Sequence, residues 1–183
     1  YNIYLDGLKV YTTIDSRMQQ NAEEAVQEHM KNLQAEFFHQ NTPQRNATAP
    51  FLDISRGAID TILTNSMKRS ARWRHLKREG LSEKEIEATF HKKEEMTVFD
   101  WNSDSYEKDT IMTPMDSIRY YKTFLRTAMM SMEPQTGHVK AWVGGVDYKH
   151  FQYDNVIQGS RQAGSLFKPF VYLMENTLGR IFH

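Results

Sequence analysis

The chain has 183 residues, is 39% hydrophobic and balances 23 Lys plus Arg against 23 Asp plus Glu, which is enough for a sizeable core and argues against a dedicated nucleic-acid binder. It has no cysteine, so a disulfide framework and thiolate metal sites are excluded. No stretch approaches the ~18 apolar residues of a membrane span, and with neither an initiator Met nor a signal peptide the sequence reads as a piece of something longer.

Residues 8–14 alternate and are rich in β-branched side chains, which predicts a strand. Asp15 or Ser16 can cap a helix directly after it. Met18, Ala22, Val26, Met30, Leu33 and Phe37 then recur at three- and four-residue steps, one apolar face of a long helix over about residues 16–39. Residues 40–50 contain Asn-Thr-Pro and Ala-Pro and form a loop. Helical texture returns over 54–78 and stops at Gly80, and Ser82 with Glu85 makes a capping box for a short helix to about Phe90. Residues 96–101 and 108–112 read as two short strands around a polar turn. Thr113 followed by Pro114 starts a helix carrying Ile118, Tyr121, Phe124 and Leu125 on one face. Residues 128–132 and 139–143 are two apolar strands joined by a turn at 133–137, and Gly144-Gly145 closes the second. After an irregular polar stretch, Phe167, Phe170, Val171, Leu173 and Met174 predict a buried helix that Gly179 ends. The order of elements gives an α+β fold, not an alternating β/α one.

Ser165 and Lys168 are the candidate chemistry. A serine hydroxyl is a poor nucleophile until a base takes its proton. A lysine of lowered pKa can act as that base, and a spacing of three puts both groups on one side of a helix. Ser-x-x-Lys alone is a weak signal, because Ser105-Tyr106-Glu107-Lys108 fits it too, in a polar turn with nothing apolar after it. Context separates the two matches. Gly164 directly before Ser165 permits a tight turn, and Pro169 directly after Lys168 is tolerated only near the first turn of a helix. A serine that merely caps its own helix is the competing reading. The seven histidines show no paired spacing, so no metal site is expected, and Gly144-Gly145 is not followed by the Gly-Lys-Ser/Thr of a phosphate loop.

The segment Arg161-Gln162-Ala163-Gly164-Ser165-Leu166-Phe167-Lys168-Pro169-Phe170 is similar to the active-serine segment of class A penicillin-binding proteins, the bifunctional enzymes that polymerise and crosslink peptidoglycan. Three further segments agree in order. Val10-Tyr11-Thr12-Thr13-Ile14-Asp15 with Met18-Gln19-Gln20 and Ala22-Glu23 resembles the start of the family's transpeptidase domain. Ser131-Met132-Glu133-Pro134-Gln135-Thr136-Gly137 with Val143-Gly144-Gly145 resembles its first core hairpin, and Phe151-Gln152-Tyr153-Asp154 the usual lead-in to the serine. The resemblance covers about residues 8–37 and 126–179. The family's later Ser-x-Asn and Lys-Thr/Ser-Gly motifs and its glycosyltransferase motifs do not occur in this sequence.

The resemblance implies the N-terminal part of a penicillin-binding transpeptidase, or serine β-lactamase-like, fold. Residues 1–39 would hold the first strand and long helix, 40–125 a mainly helical insertion peculiar to one lineage, and 126–183 the core hairpin and active-serine helix. It implies acyl transfer in which Ser165 attacks the D-Ala-D-Ala carbonyl of a stem peptide, with Lys168 as general base and the Ser165 N–H as half of an oxyanion hole. β-Lactams would acylate the same serine. No cofactor and no nucleic acid is implied. The parent would stand on the extracytoplasmic face of the bacterial inner membrane, held by an N-terminal anchor. The isolated chain is expected not to turn over substrate. Two alternatives stand beside this reading: a non-catalytic interaction module of the wall-synthesis machinery, and a β-lactam sensor or hydrolase of the same fold. The basic run of Lys68, Arg69, Arg72, Arg74, Lys77 and Arg78 is read first as a solvated helix face and second as a surface for acidic lipid or polymer.

Overall fold

A computed structural model describes residues 2, 7–42 and 44–178. Helix α1, Ser16–Gln40, starts where Asp15 places its carboxylate under the N–H groups of Arg17 (3.0 Å) and Met18 (3.1 Å). Its buried row is Ala22, Val26, Met30 and Gln34, a clean four-residue step, while Met18 and Leu33 face solvent. The row continues through a glutamine because Gln34 meets polar backbone. Its Nε2 donates to the Thr123 carbonyl (3.0 Å) and its Oε1 accepts from the Leu125 N–H (2.8 Å).

Strands β3, Met129–Met132, and β4, Val139–Val143, form an antiparallel hairpin with a bulge between Ser131 and Met132. Helix α1 lies against β4. Ala22, Val26 and Met30 close on Ala141, Val143, Val146 and Phe151, and Phe99, Trp101 and Phe124 complete this core. Residues 8–14 are not a strand. Val10 and Tyr11 are 80% and 90% exposed, so the alternating pattern has no layer to pack on. Thr13 in this segment and Asp15 just after it each bond to the free edge of β4. The Thr13 hydroxyl donates to the Val139 carbonyl (2.7 Å) and the Asp15 N–H donates to that of Lys140 (2.9 Å).

The middle of the chain is helical with one hairpin. The expected helix over 54–78 is two helices, α2 (Arg56–Arg69) and α3 (Ala71–Arg78), broken at Ser70. The Ser70 hydroxyl donates to the Met67 carbonyl (2.7 Å) and accepts from the Trp73 N–H (3.1 Å), so one side chain ends one helix and starts the next. Helix α4, Glu83–Thr89, has the capping box of Ser82 and Glu85. Strands β1 (Glu94–Phe99) and β2 (Glu107–Met112) pair antiparallel, with Phe99 opposite Glu107. Helix α5, Pro114–Tyr121, is capped by Thr113 and is shorter than its apolar pattern, so Phe124 and Leu125 lie in the turn beyond it. A second core gathers Met67, Trp73, Ile86 and Phe90, with Leu76, Leu81, Met115 and Ile118 packed against it. Each of these large apolar side chains contributes about 1.5–3 kcal/mol on burial.

Residues Gly164–Phe167 form a 3₁₀ turn that runs into α6, Lys168–Leu178. The expectation of a buried helix here is corrected: Leu166 is 81% and Phe170 61% exposed, because among the described residues no other element closes over this face. The expected stop at Gly179 falls outside the described residues. With helices and antiparallel hairpins segregated along the chain, the fold is α+β.

Candidate active site

The route to Ser165 begins at β4. Gln19 of α1 reads the backbone of Trp142 at both ends, its Oε1 accepting from the Trp142 N–H (2.7 Å) and its Nε2 donating to the Trp142 carbonyl (2.9 Å). The amide imitates a neighbouring strand and fixes β4 against the helix. The Trp142 indole then points forward, its Nε1–H donating to Asp154 Oδ2 (2.8 Å). The other carboxylate oxygen of Asp154 accepts from the Val156 N–H (2.9 Å). The indole bond first, and then the Val156 and Ile157 N–H groups, hold the Asp154 carboxyl below its ordinary value. Asn155 adds two bonds to the Gly144 carbonyl, from its N–H (2.8 Å) and its Nδ2 (2.9 Å). Gly144 is required by this close approach, since a Cβ there would lie 2.7 Å from Asp154 Oδ1.

Beyond this knot the chain reaches the serine. Gly164 takes a φ of +52° with open space around it, so the left-handed turn itself is what favours glycine. Ser165 sits in the 3₁₀ turn, three residues before the α-helix in which it was expected, and Lys168 is the first residue of α6. The Lys168 N–H donates to the Ser165 carbonyl. In a 3₁₀ turn residues three apart lie one above the other, so the two side chains leave the same side of the backbone. Both residues are exposed. Pro169 is the second residue of α6, where its missing N–H costs nothing. The rival Ser105 is in the polar β1–β2 turn, its hydroxyl 3.0 Å from that of Ser103.

A concavity of about 460 Å³ lies beside the lead-in, between Glu23 and Gln27 of α1 and the stretch from Trp142 to Asp154, and does not include Ser165 or Lys168. Among the described residues no group of three or more His, Asp or Glu side chains is placed to hold a metal ion. Gln19 and Asp154 fall within segments of family resemblance, but the sequence does not reveal that both bond to Trp142, a meeting that only folding produces.

Residues 46–125 match the family model of the penicillin-binding protein middle domain. Penicillin-binding protein 1A of Rickettsia conorii is 28% identical over 93% of this chain and 23% of its own length, and that of Neisseria flavescens 26% identical over 92% and 23%. Penicillin-binding protein 1A of Neisseria gonorrhoeae is 46% identical over 48 residues, 26% of this chain and 6% of its own length. The family model and these relatives support reading the chain as a fragment of a class A penicillin-binding protein. The chain spans about a quarter of the length of the curated relatives it matches. The segment read as an insertion peculiar to one lineage coincides with a domain for which the penicillin-binding proteins have their own model. No solved structure matches the chain.

Proposed function

We propose that this chain is the front of the transpeptidase domain of a peptidoglycan synthase and that Ser165 is its acylated residue. The observation that carries the reading is the placing of Ser165 and Lys168 one 3₁₀ turn apart, behind the left-handed Gly164, in a chain whose relatives are named penicillin-binding proteins. In the reaction, the Ser165 Oγ attacks the carbonyl between the two terminal D-alanines of a stem peptide while the Lys168 amine takes the hydroxyl proton. The tetrahedral intermediate collapses to an acyl-serine as the D-Ala amine leaves with a proton. An amine of a neighbouring stem then attacks the ester and regenerates Ser165. A β-lactam proceeds through the first half and stops there. No cofactor enters either half.

The parent would carry a glycosyltransferase domain ahead of this piece and work outside the cytoplasmic membrane through an anchor of its own. Among the described residues no helix is long and apolar enough to cross a membrane. A second role, as an interaction module, is supported by the separate core of the middle segment around Trp73, Ile86 and Phe90. The test is covalent labelling of the full-length protein by a fluorescent penicillin, with Ser165→Ala beside it. Labelling that vanishes in the variant supports the proposal, and labelling that persists refutes it. The isolated 183-residue chain is expected to stay unlabelled, since the later motifs of the site do not occur in it.

A further inference from the structure

His150 lies in the loop between β4 and the lead-in to Ser165, and its side chain is only 10% exposed. Its Nδ1 is 3.2 Å from the Tyr121 hydroxyl of α5, and its Nε2 is 3.0 Å from Glu107 Oε1 of β2. The Tyr121 hydroxyl also accepts the Phe99 N–H of β1 (3.1 Å). With Phe99 donating to the hydroxyl, the tautomer that carries its proton on Nε2 lets the hydroxyl donate to Nδ1 and the Nε2–H donate to Glu107, which satisfies every member. Phe99 and Glu107 are cross-strand partners, so the bonds close a ring through β1, α5, the 147–151 loop and β2. The chain of carboxylate, imidazole and hydroxyl has the order of a hydrolytic relay. It ends on a backbone N–H beside a fully buried phenylalanine, so it holds elements together and activates nothing.

The neighbouring residues reinforce the ring. Lys149 pairs with Glu107 at 2.7 Å. Phe151 is buried against Phe99 (ring centroids 5.0 Å apart) and under the Arg126 guanidinium (4.1 Å). Three residues on, Asp154 and Asn155 are tied to Trp142 and Gly144. The lead-in is therefore pinned on one side by the middle segment and on the other by β4, with Ser165 ten residues beyond Asn155.

We propose that His150 is a positioning residue for Ser165, the joint through which the middle segment holds the active-serine lead-in in register with β4. The inference rests on Ser165 being the acylated serine. The experiment uses the full-length protein and its His150→Ala, Tyr121→Phe and Ser165→Ala variants. It reads amide hydrogen exchange over 151–158 and the acylation rate constant at saturating fluorescent penicillin.

In His150→Ala, exchange over 151–158 is expected to rise by about tenfold or more while α1 and the Trp73 core keep their protection. Acylation is expected to slow by about 10- to 100-fold, the loss that small misplacements of a reacting group produce. Tyr121→Phe keeps the ring packing and deletes the two bonds of the hydroxyl, to His150 and to the Phe99 N–H, while the bond between His150 and Glu107 remains, so it should shift both readouts in the same direction by less, even if His150→Ala fails to fold. Unchanged exchange over 151–158 in a folded variant overturns the proposal. So does faster exchange with acylation within about twofold of wild type. Wild-type protein that does not label on Ser165 sinks the transpeptidase reading instead, and is told apart because the exchange measurement still reports the joint.

Discussion

Gln34 is the sharpest place to test the packing account. It is 1% exposed, polar, and bonded at both ends of its amide, to the Thr123 carbonyl at 3.0 Å and the Leu125 N–H at 2.8 Å. Gln34→Met keeps volume and flexibility but offers neither bond. A backbone donor and acceptor stripped of partners and shielded from water cost about 1–3 kcal/mol each. Both groups lie at a half-buried turn, which lets water recover part of the loss, so the net destabilisation is expected at about 2–4 kcal/mol. Gln34→Glu separates the two bonds. It can still accept from Leu125, but it sets a carboxylate oxygen against the Thr123 carbonyl, and it should be worse than Met at neutral pH and recover as the pH falls. The assay is urea unfolding monitored by tryptophan fluorescence, with Trp101 reporting the core that Gln34 borders and Trp73 the other. A Gln34→Met variant within about 0.5 kcal/mol of wild type would refute the reasoning, because a change that small is what an ordinary surface position gives.

Three further outcomes rest on single features. Ile86→Ala, at a side chain with no exposed surface in the second core, should cost about 2–5 kcal/mol and shift the Trp73 signal before that of Trp101, read by the same urea titration. The Asp15 carboxyl is held below its ordinary 3.8 chiefly by the Met18 N–H, and then by that of Arg17. A depressed folded-state value means stability that is present above about pH 4 and lost as the pH falls through the folded value, so Asp15→Asn should flatten the acid side of a midpoint-against-pH curve. At Gly164, where φ is +52° and nothing crowds a Cβ, the backbone alone sets the penalty. Gly164→Asn should label with penicillin better than Gly164→Val in the full-length protein, since asparagine tolerates the left-handed region and a β-branched residue does not.

Much of this architecture was legible because local signals and packing agree. The four-residue steps from Ala22 to Met30 are the helix face that meets β4, and Ser82 with Glu85 caps a helix as its spacing demands. The failures share one cause, an apolar or alternating pattern whose partner layer the sequence cannot name. Residues 8–14 alternate like a strand yet form none, and Thr13 bonds to the edge of β4 through its side chain. The pattern over 54–78 does not reveal that Ser70 will cap in both directions. The candidate serine segment was picked out by Gly164, Ser165, Lys168 and Pro169, which lie together in the chain. Its supports were not, because Gln19 and Trp142, or Glu107 and His150, meet only after folding.

The bonds between Gln19 and Trp142 span 123 positions of sequence. Closing so long a loop in one step is slow, since the entropy of closure is spent before any contact rewards it. The second core draws only on residues 67–118 and is assembled from neighbours in sequence. Emerging from the ribosome, that core can form while β4 is still being translated. Once formed, it replaces part of the free chain between α1 and β3 by a packed body. The middle segment would thus act as a splint during synthesis, and lesions in it would show first as slow or misdirected assembly of the serine-bearing half.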